Sequence, residues 1–470
     1  MNDIPARARS KRSIKHIFSS IVLLLIVLVV GAHFIWGIWA AHRLDTALAA
    51  LHAEGEPVTY TELKLDSVPD AQNASLDYLA AGDLIDTSTP AWTEYDRSDS
   101  YNFSPPLTDS ERATVRKIVQ ENTAALARVT AARGKLPGGW KDWLNTPDML
   151  TQLPHLNGVR TLANLLRFAA MDAHLHGDDQ LSLQWVKDEL SQAEAAEHRP
   201  LIIGHLVAIG CDELTSNTIA HLAPDLHVAS NHLARQDIVN LLHPLQDESA
   251  INNGDKLAWR SERIAAINTM QKLAAGGLSV TSISTAGSST LSWHITGYVL
   301  KPLLLTDARL YANYLQDVIV SQTAPDWSAA QKQLSNQLPV KVDQHRFQHI
   351  YLSLMMTGTQ KAGLQDYQVK SWRRLATVAL AVRLFAADHH DQIPTSLADL
   401  VPFYLPAIPM DAMTGTPLHY KSDPPRVYAV GTDGVDHGGV PQDSNSNDAV
   451  VRHHGDLVIY LVTPPRKMPK

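Results

Sequence analysis

Little in this chain invites chemistry. Its 470 residues include one cysteine, Cys211. A lone thiol excludes an internal disulfide and a multi-thiolate metal site. Ile209, Gly210 and Leu214 put it on an apolar helical pattern, where it reads as a small buried hydrophobe and not a nucleophile. Charge is sparse as well. Asp, Glu, Lys and Arg make up 19% of the chain, the net charge is −8, and no basic stripe stands out beyond the N-terminal tail. That argues against nucleic acid as a partner. There is no Gly-x-Ser-x-Gly elbow, no Gly-rich phosphate loop with its Lys, and no His-Glu-x-x-His pair.

What the chain does have is one long apolar run, Ile17 to Ala41, with no Asp, Glu, Lys or Arg in it. As a helix it rises about 37 Å at roughly 1.5 Å per residue, enough to cross a bilayer with some tilt. Arg7, Arg9, Lys11, Arg12 and Lys15 precede it against a single acid, Asp3. Arg43, Asp45, Glu54 and Glu56 follow. Basic flanks stay in the cytoplasm, so residues 1–16 read as a cytoplasmic tail and 17–41 as a transmembrane helix. Everything after lies on the periplasmic side. Trp36 and Trp39 fall near the outer interface, which indole rings favour. His33 is a mild cost inside the run, tolerable when neutral and close to the outer headgroups. A cleaved signal peptide needs an apolar core of about 7–15 residues and a small-x-small site. The run is longer, and Gly37-Ile38-Trp39-Ala40-Ala41 is a poor match. The sequence therefore predicts an uncleaved signal anchor, single-pass, in the inner membrane.

After the anchor about 430 residues remain, room for two or three domains at roughly 150 residues each. Gly55-Glu56-Pro57 breaks the first helix, and Thr108-x-x-Glu111 is a capping box that opens another. From about 153 to 240 the pattern is strongly helical, with a turn at Gly177-Asp178-Asp179 and boundaries at Pro200 and Pro224. No clean repeat period emerges. The fold class expected is mainly α, with an irregular, repeat-like multi-helical domain over 42–370 and a loop or linker at 276–290. Trp293–Leu305 reads as a buried helix, followed by Thr306-Asp307 as the cap of the next one. Over 371–470 the character changes. Trp372–Asp388 is an amphipathic helix, and alternating runs after it read as three short strands.

Two stretches carry family resemblances. Gly55-Glu56-Pro57, Glu62-Leu63, Val68-Pro69, Asn73-Ala74 and Tyr78 together resemble the start of the extracytoplasmic part of a loose group of membrane-anchored proteins common in planctomycetes. That group brings no activity with it. The C-terminal stretch, about Trp372–Leu461, carries Pro394-Thr395, Leu397, Leu400, Pro409, Asp411, Gly415, Pro417, Tyr420, Asp433 and Gly434. In this order they are similar to the globular domain of the major pseudopilin of type II secretion systems. The resemblance implies a small α+β module with calcium in its last loop. Here that loop holds Asp433, Asp436, Asp443 and Asp448, beside Ser444, Asn445 and Asn447, oxygen donors of the kind calcium takes. The pseudopilin processing sequence is missing before the apolar run, and about 330 residues separate anchor from module, so processing and pilus assembly are not implied.

The function expected is non-enzymatic: an envelope protein in contact with a protein partner, with the membrane as its second partner and calcium as its candidate ligand. Two rivals stand beside it. One is a hydrolase with a site assembled in the helical domain from His174, His176, Asp178 and Asp179. The other is an accessory component of a type II secretion-like system. The 22 histidines match no zinc spacing, and His389-His390 and His453-His454 read as surface or capping residues. Asp178 and Asp179 read first as turn and cap residues.

Overall fold

The computed structural model describes residues 7–63, 68–97, 106–139, 155–228, 232–277, 290–334, 349–442 and 455–463. The chain begins with one helix, α1 (Arg7–Ala53), of 47 residues. At 1.5 Å per residue this is about 70 Å, roughly twice the hydrocarbon thickness of a bilayer. Its two halves have different surroundings. Large apolar side chains from Ile17 to Val30 stand exposed, whereas Ala40, Leu44 and Leu51 are buried. The helix is long and apolar enough to cross a membrane. It ends where Gly55 turns to φ 83° and Glu56 N–H donates to the Leu51 carbonyl at 3.0 Å.

The body follows as α2 (Ala74–Asp83), α3 (Pro90–Arg97), α4 (Asp109–Glu121), α5 (Thr123–Ala132), α6 (Leu156–Leu175), α7 (Asp179–Glu197) and α8 (Ile202–Leu222). Then come α9 (His232–Gln246), α10 (Ser249–Ala274), α11 (Thr290–Ser321), α12 (Trp327–Leu334) and α13 (Ile350–Asp388). Local chemistry starts several of them. The Asn73 side chain accepts the Ser75 N–H at the head of α2. Thr108 and Glu111 form the expected capping box of α4. Asp178 accepts the Leu181 N–H and caps α7. After α13 come β1 (His419–Ser422), β2 (Pro425–Ala429) and β3 (Leu457–Tyr460), antiparallel in that order, with His419 opposite Tyr428 and Arg426 opposite Tyr460. The mainly helical body and the three short strands agree with the sequence reading.

The three largest apolar cores hold most of these elements together. One joins α2–α6 through Tyr78, Trp92, Ile118 and Phe168. A second joins the buried half of α1 to α10, α11 and the first half of α13, through Leu44, Trp259, Tyr311 and Leu352. A third packs Val186, Ile219, Leu241 and Val378 against Val427 and Ile459 of the sheet. The second half of α13 is the floor on which the strands lie. Position 370/371, where the composition changes, falls inside this one helix.

α11 departs from the sequence reading. It runs unbroken through Pro302, and Thr306 does not cap a new helix; its hydroxyl donates back to the Pro302 carbonyl at 2.7 Å. Proline has no N–H to give to the carbonyl four residues earlier, which normally breaks a helix. That carbonyl belongs to Tyr298, and His33 Nε2 of α1 donates to it at 2.9 Å. Gly37, one turn further along α1, faces the Pro302 ring. A donor from another helix replaces the missing one, so the helix continues.

Candidate functional site

Four helices converge on one histidine. The α7–α8 connection is tight: Leu201 N–H donates to the Arg199 carbonyl at 2.8 Å, and His205 N–H to that of Leu201 at 3.0 Å. The turn sets His205 in the first turn of α8, beside Glu197, the last residue of α7. Asp255 of α10 and Asp366 of α13 approach from the other side. Glu197 Oε2 lies 2.6 Å from His205 Nδ1, and Asp366 Oδ1 lies 2.7 Å from Nε2. Asp255 Oδ1 stands 3.9 Å from the same Nε2. The four side chains are between 1% and 6% exposed, so bulk water does not reach them. Lys370, one turn after Asp366, is also buried and its charge acts on both aspartates.

Burial and charge set the protonation of this centre. Burial disfavours a charged imidazole, but the Glu197 and Asp366 carboxylates outweigh it and push His205 well above its ordinary range. Burial and the neighbouring Asp366 carboxylate push Asp255 well up, so its carboxyl keeps a proton. Burial opposes ionisation of Asp366 too, but the His205 charge prevails and holds it low. Burial raises Glu197 to about 7. The pair thus carries one negative charge, on Asp366, with the proton held by Asp255. With that proton in place, His205 and Lys370 balance Glu197 and Asp366. Gly254 makes the arrangement possible, because a Cβ there would collide with Glu197 Oε2.

The sequence puts His205 on the apolar face of its helix and gives it no role. A polar residue at a core position was the available signal. Its partners could not be read, because Asp366 lies 161 positions away.

The residues named for a hydrolase do other work. His174 Nδ1 meets Asp179 Oδ1 at 2.6 Å, while Asp179 Oδ2 accepts the His227 N–H at 2.6 Å. Burial works against the Asp179 charge, yet these bonds keep its carboxyl below the usual range. His176 Nδ1 donates to the Asp172 carbonyl at 2.7 Å. With Asp178 capping α7, the group fastens a turn. In the C-terminal loop, Asp433 accepts the Val435 N–H and meets His437 Nε2 at 2.8 Å, and Asp436 accepts the Gly438 N–H. Asp456, which the sequence reading did not single out, takes the His437 and Gly439 N–H groups and shapes this loop. Asp443 and Asp448 lie outside the described residues.

A cavity of about 720 Å³ opens between α6, α8, α13 and β3, with Arg160, Arg167, Cys211, Glu213, His221 and Trp372 among its walls. Burial pushes the Cys211 thiol up to about 12 and, with Arg167, the His221 imidazole down to about 3. The thiol stays protonated and the imidazole neutral near pH 7. Burial raises Glu213 to about 7. Glu213 and His221 stand eight residues apart on one helix, roughly 12 Å along its axis, too far for a proton-transfer pair.

No protein-family profile matches the chain, and comparisons with curated proteins and with solved structures give no match.

Proposed function

We propose that this is a single-pass envelope protein, anchored uncleaved in the inner membrane with its N-terminus in the cytoplasm, whose periplasmic helical body serves protein contact and not catalysis. The observation that carries the uncleaved anchor is the continuity of α1 from its exposed apolar half into the core of the body. Cleavage between Gly37 and Ala41 would remove the His33 donor from the Tyr298 carbonyl and uncover the α11 surface that Ala40 packs against. A dispensable leader has no such contacts. The five cations before the apolar run support the orientation. On the outer side the Arg43 guanidinium lies 4.7 Å from the Trp39 ring, a pair suited to the interface.

Against catalysis stands the placement of the ionisable groups. The tight histidine–carboxylate cluster is enclosed, and burial keeps the Cys211 thiol in the wall of the open cavity protonated.

Alkaline carbonate extraction of cells making the full-length chain, and protease added to spheroplasts, test the reading together. The protein is expected to stay in the membrane pellet and to lose its body to the external protease. Release into the soluble fraction at full length, or a body spared by protease until the membrane is opened, overturns it.

A further inference from the structure

We propose that the buried centre formed by His205, Asp255 and Asp366, with Glu197 behind the imidazole, binds one first-row divalent cation of the zinc or manganese type. One imidazole nitrogen and carboxylate oxygens are the donors such ions take. Ligand atoms of His205, Asp255 and Asp366 all lie within 4.8 Å of one another. Around an ion with bonds of about 2.0–2.1 Å, tetrahedral neighbours stand roughly 3.3 Å apart. The two Nε2–oxygen separations, 2.7 and 3.9 Å, bracket that spacing. Opening the Asp366 contact and closing the Asp255 one by about 0.6 Å each would admit the ion.

A second observation points the same way. Asp255 Oδ1 and Asp366 Oδ2 are buried without a hydrogen-bond partner. Buried carboxylate oxygens are rarely left so, and an unseen ion is one of the standard reasons. Asp255 Oδ1 faces His205 Nε2, where a cation would lie.

The outer contacts fit as well. A metal-bound histidine usually gives its other N–H to a carboxylate, which fixes the ring and the tautomer. Glu197 Oε2 holds that position on Nδ1 at 2.6 Å, and Gly254 leaves it the room. Charge balances too. A neutral imidazole, three carboxylates and the Lys370 ammonium sum to −2, which a divalent ion cancels. Binding replaces two protons, one on Nε2 and one on Asp255, and both leave to solvent. The centre has no opening for substrate, so the ion would be structural, joining α8, α10 and α13 directly and α7 through Glu197. The competing occupant is those two protons alone, in a purely hydrogen-bonded cluster.

The test uses the full-length protein in detergent, purified without chelator, stripped, and then offered Zn²⁺ or Mn²⁺. Metal analysis is expected to find about one tightly held equivalent per chain, as a structural site requires. Stripping should lower the melting midpoint and reloading restore it. Asp255→Asn, isosteric and checked for folding by circular dichroism, should lose the equivalent. His389→Gln/His390→Gln, which alters exposed histidines, should keep it. Wild-type protein that retains less than about a tenth of an equivalent of either metal overturns the proposal. So does a folded Asp255→Asn that binds as wild type does. Should Asp255→Asn fail to fold, the stoichiometry of reloaded wild-type protein decides alone.

Discussion

Pro302 removes the helical donor of the Tyr298 carbonyl, and His33 supplies one from α1. A side chain that looks like a blemish in the apolar run is thus the partner of a blemish in another helix. Losing it should cost about 0.5–1.5 kcal/mol, the net worth of one hydrogen bond. Pro302→Ala returns an N–H to the Tyr298 carbonyl, so His33→Ala should cost less in that background. Unfolding in detergent micelles measures both, and equal costs in the two backgrounds would reject the coupling. Gly254 offers a check of opposite sign. Glycine to alanine inside a helix ordinarily stabilises by about 0.8–1.0 kcal/mol. Here the added carbon would collide with the Glu197 carboxylate, so Gly254→Ala should instead destabilise, by about 1–3 kcal/mol as an overpacked site does. A denaturant titration shows the sign directly. At this scale the sequence exposes the odd residue but not its reason. His205 is visible as polar on an apolar face, while Glu197, Asp255 and Asp366 arrive from three other helices.

Helix starts are where the sequence is most legible. Thr108 with Glu111, Asn73 and Asp178 each satisfy backbone donors within three residues, so the signal and the structure share one short window. Asn73→Ala should lower the thermal midpoint by an amount equivalent to about 1 kcal/mol, typical of a lost cap. The interior of α11 is the counter-example. Thr306-Asp307 after Pro302 has the composition of a cap, yet the helix continues, because the compensating donor lies 265 positions away. The C-terminal loop is intermediate. Asp433 and Asp436 lie where the pseudopilin likeness implies calcium, and each already accepts a backbone N–H of its own loop. Calcium held there as well should raise the melting midpoint in wild type and in Asp255→Asn, but not in Asp436→Asn. A midpoint indifferent to calcium in wild type removes that ligand.

Buried carboxyl groups shape the behaviour of the whole molecule. Burial pushes Glu189 up to about 8, and Glu213 and Glu262 up to about 7. In the unfolded chain each titrates near 4.3, so between there and pH 7–8 the folded state holds more protons than the unfolded one. Their stabilising contribution is complete at low pH and is lost as pH rises. His221, pushed down to about 3, opposes them, since its contribution fades as pH falls below 6.5. Three groups against one, all outside the His205 centre, give a net fall in stability with rising pH. The melting midpoint at pH 5.5 should therefore exceed that at pH 7.5, measured by calorimetry or circular dichroism in the same detergent and salt. The reverse order would mean that these carboxyl groups are hydrated and not buried.

The sequence by itself determined the apolar run, its basic flank, the caps and the succession of helices ending in short strands. Each depends on a contiguous segment: the partition of one stretch between water and hydrocarbon, or a backbone donor met within one turn. Tertiary structure alone decided that the second half of α1 is buried in the core of the body, that His33 answers Pro302, and that four helices close around His205. Those outcomes depend on which helix faces meet, and residues far apart in the chain acquire their hydrogen bonds and shifted charges only once packing has removed the water between them.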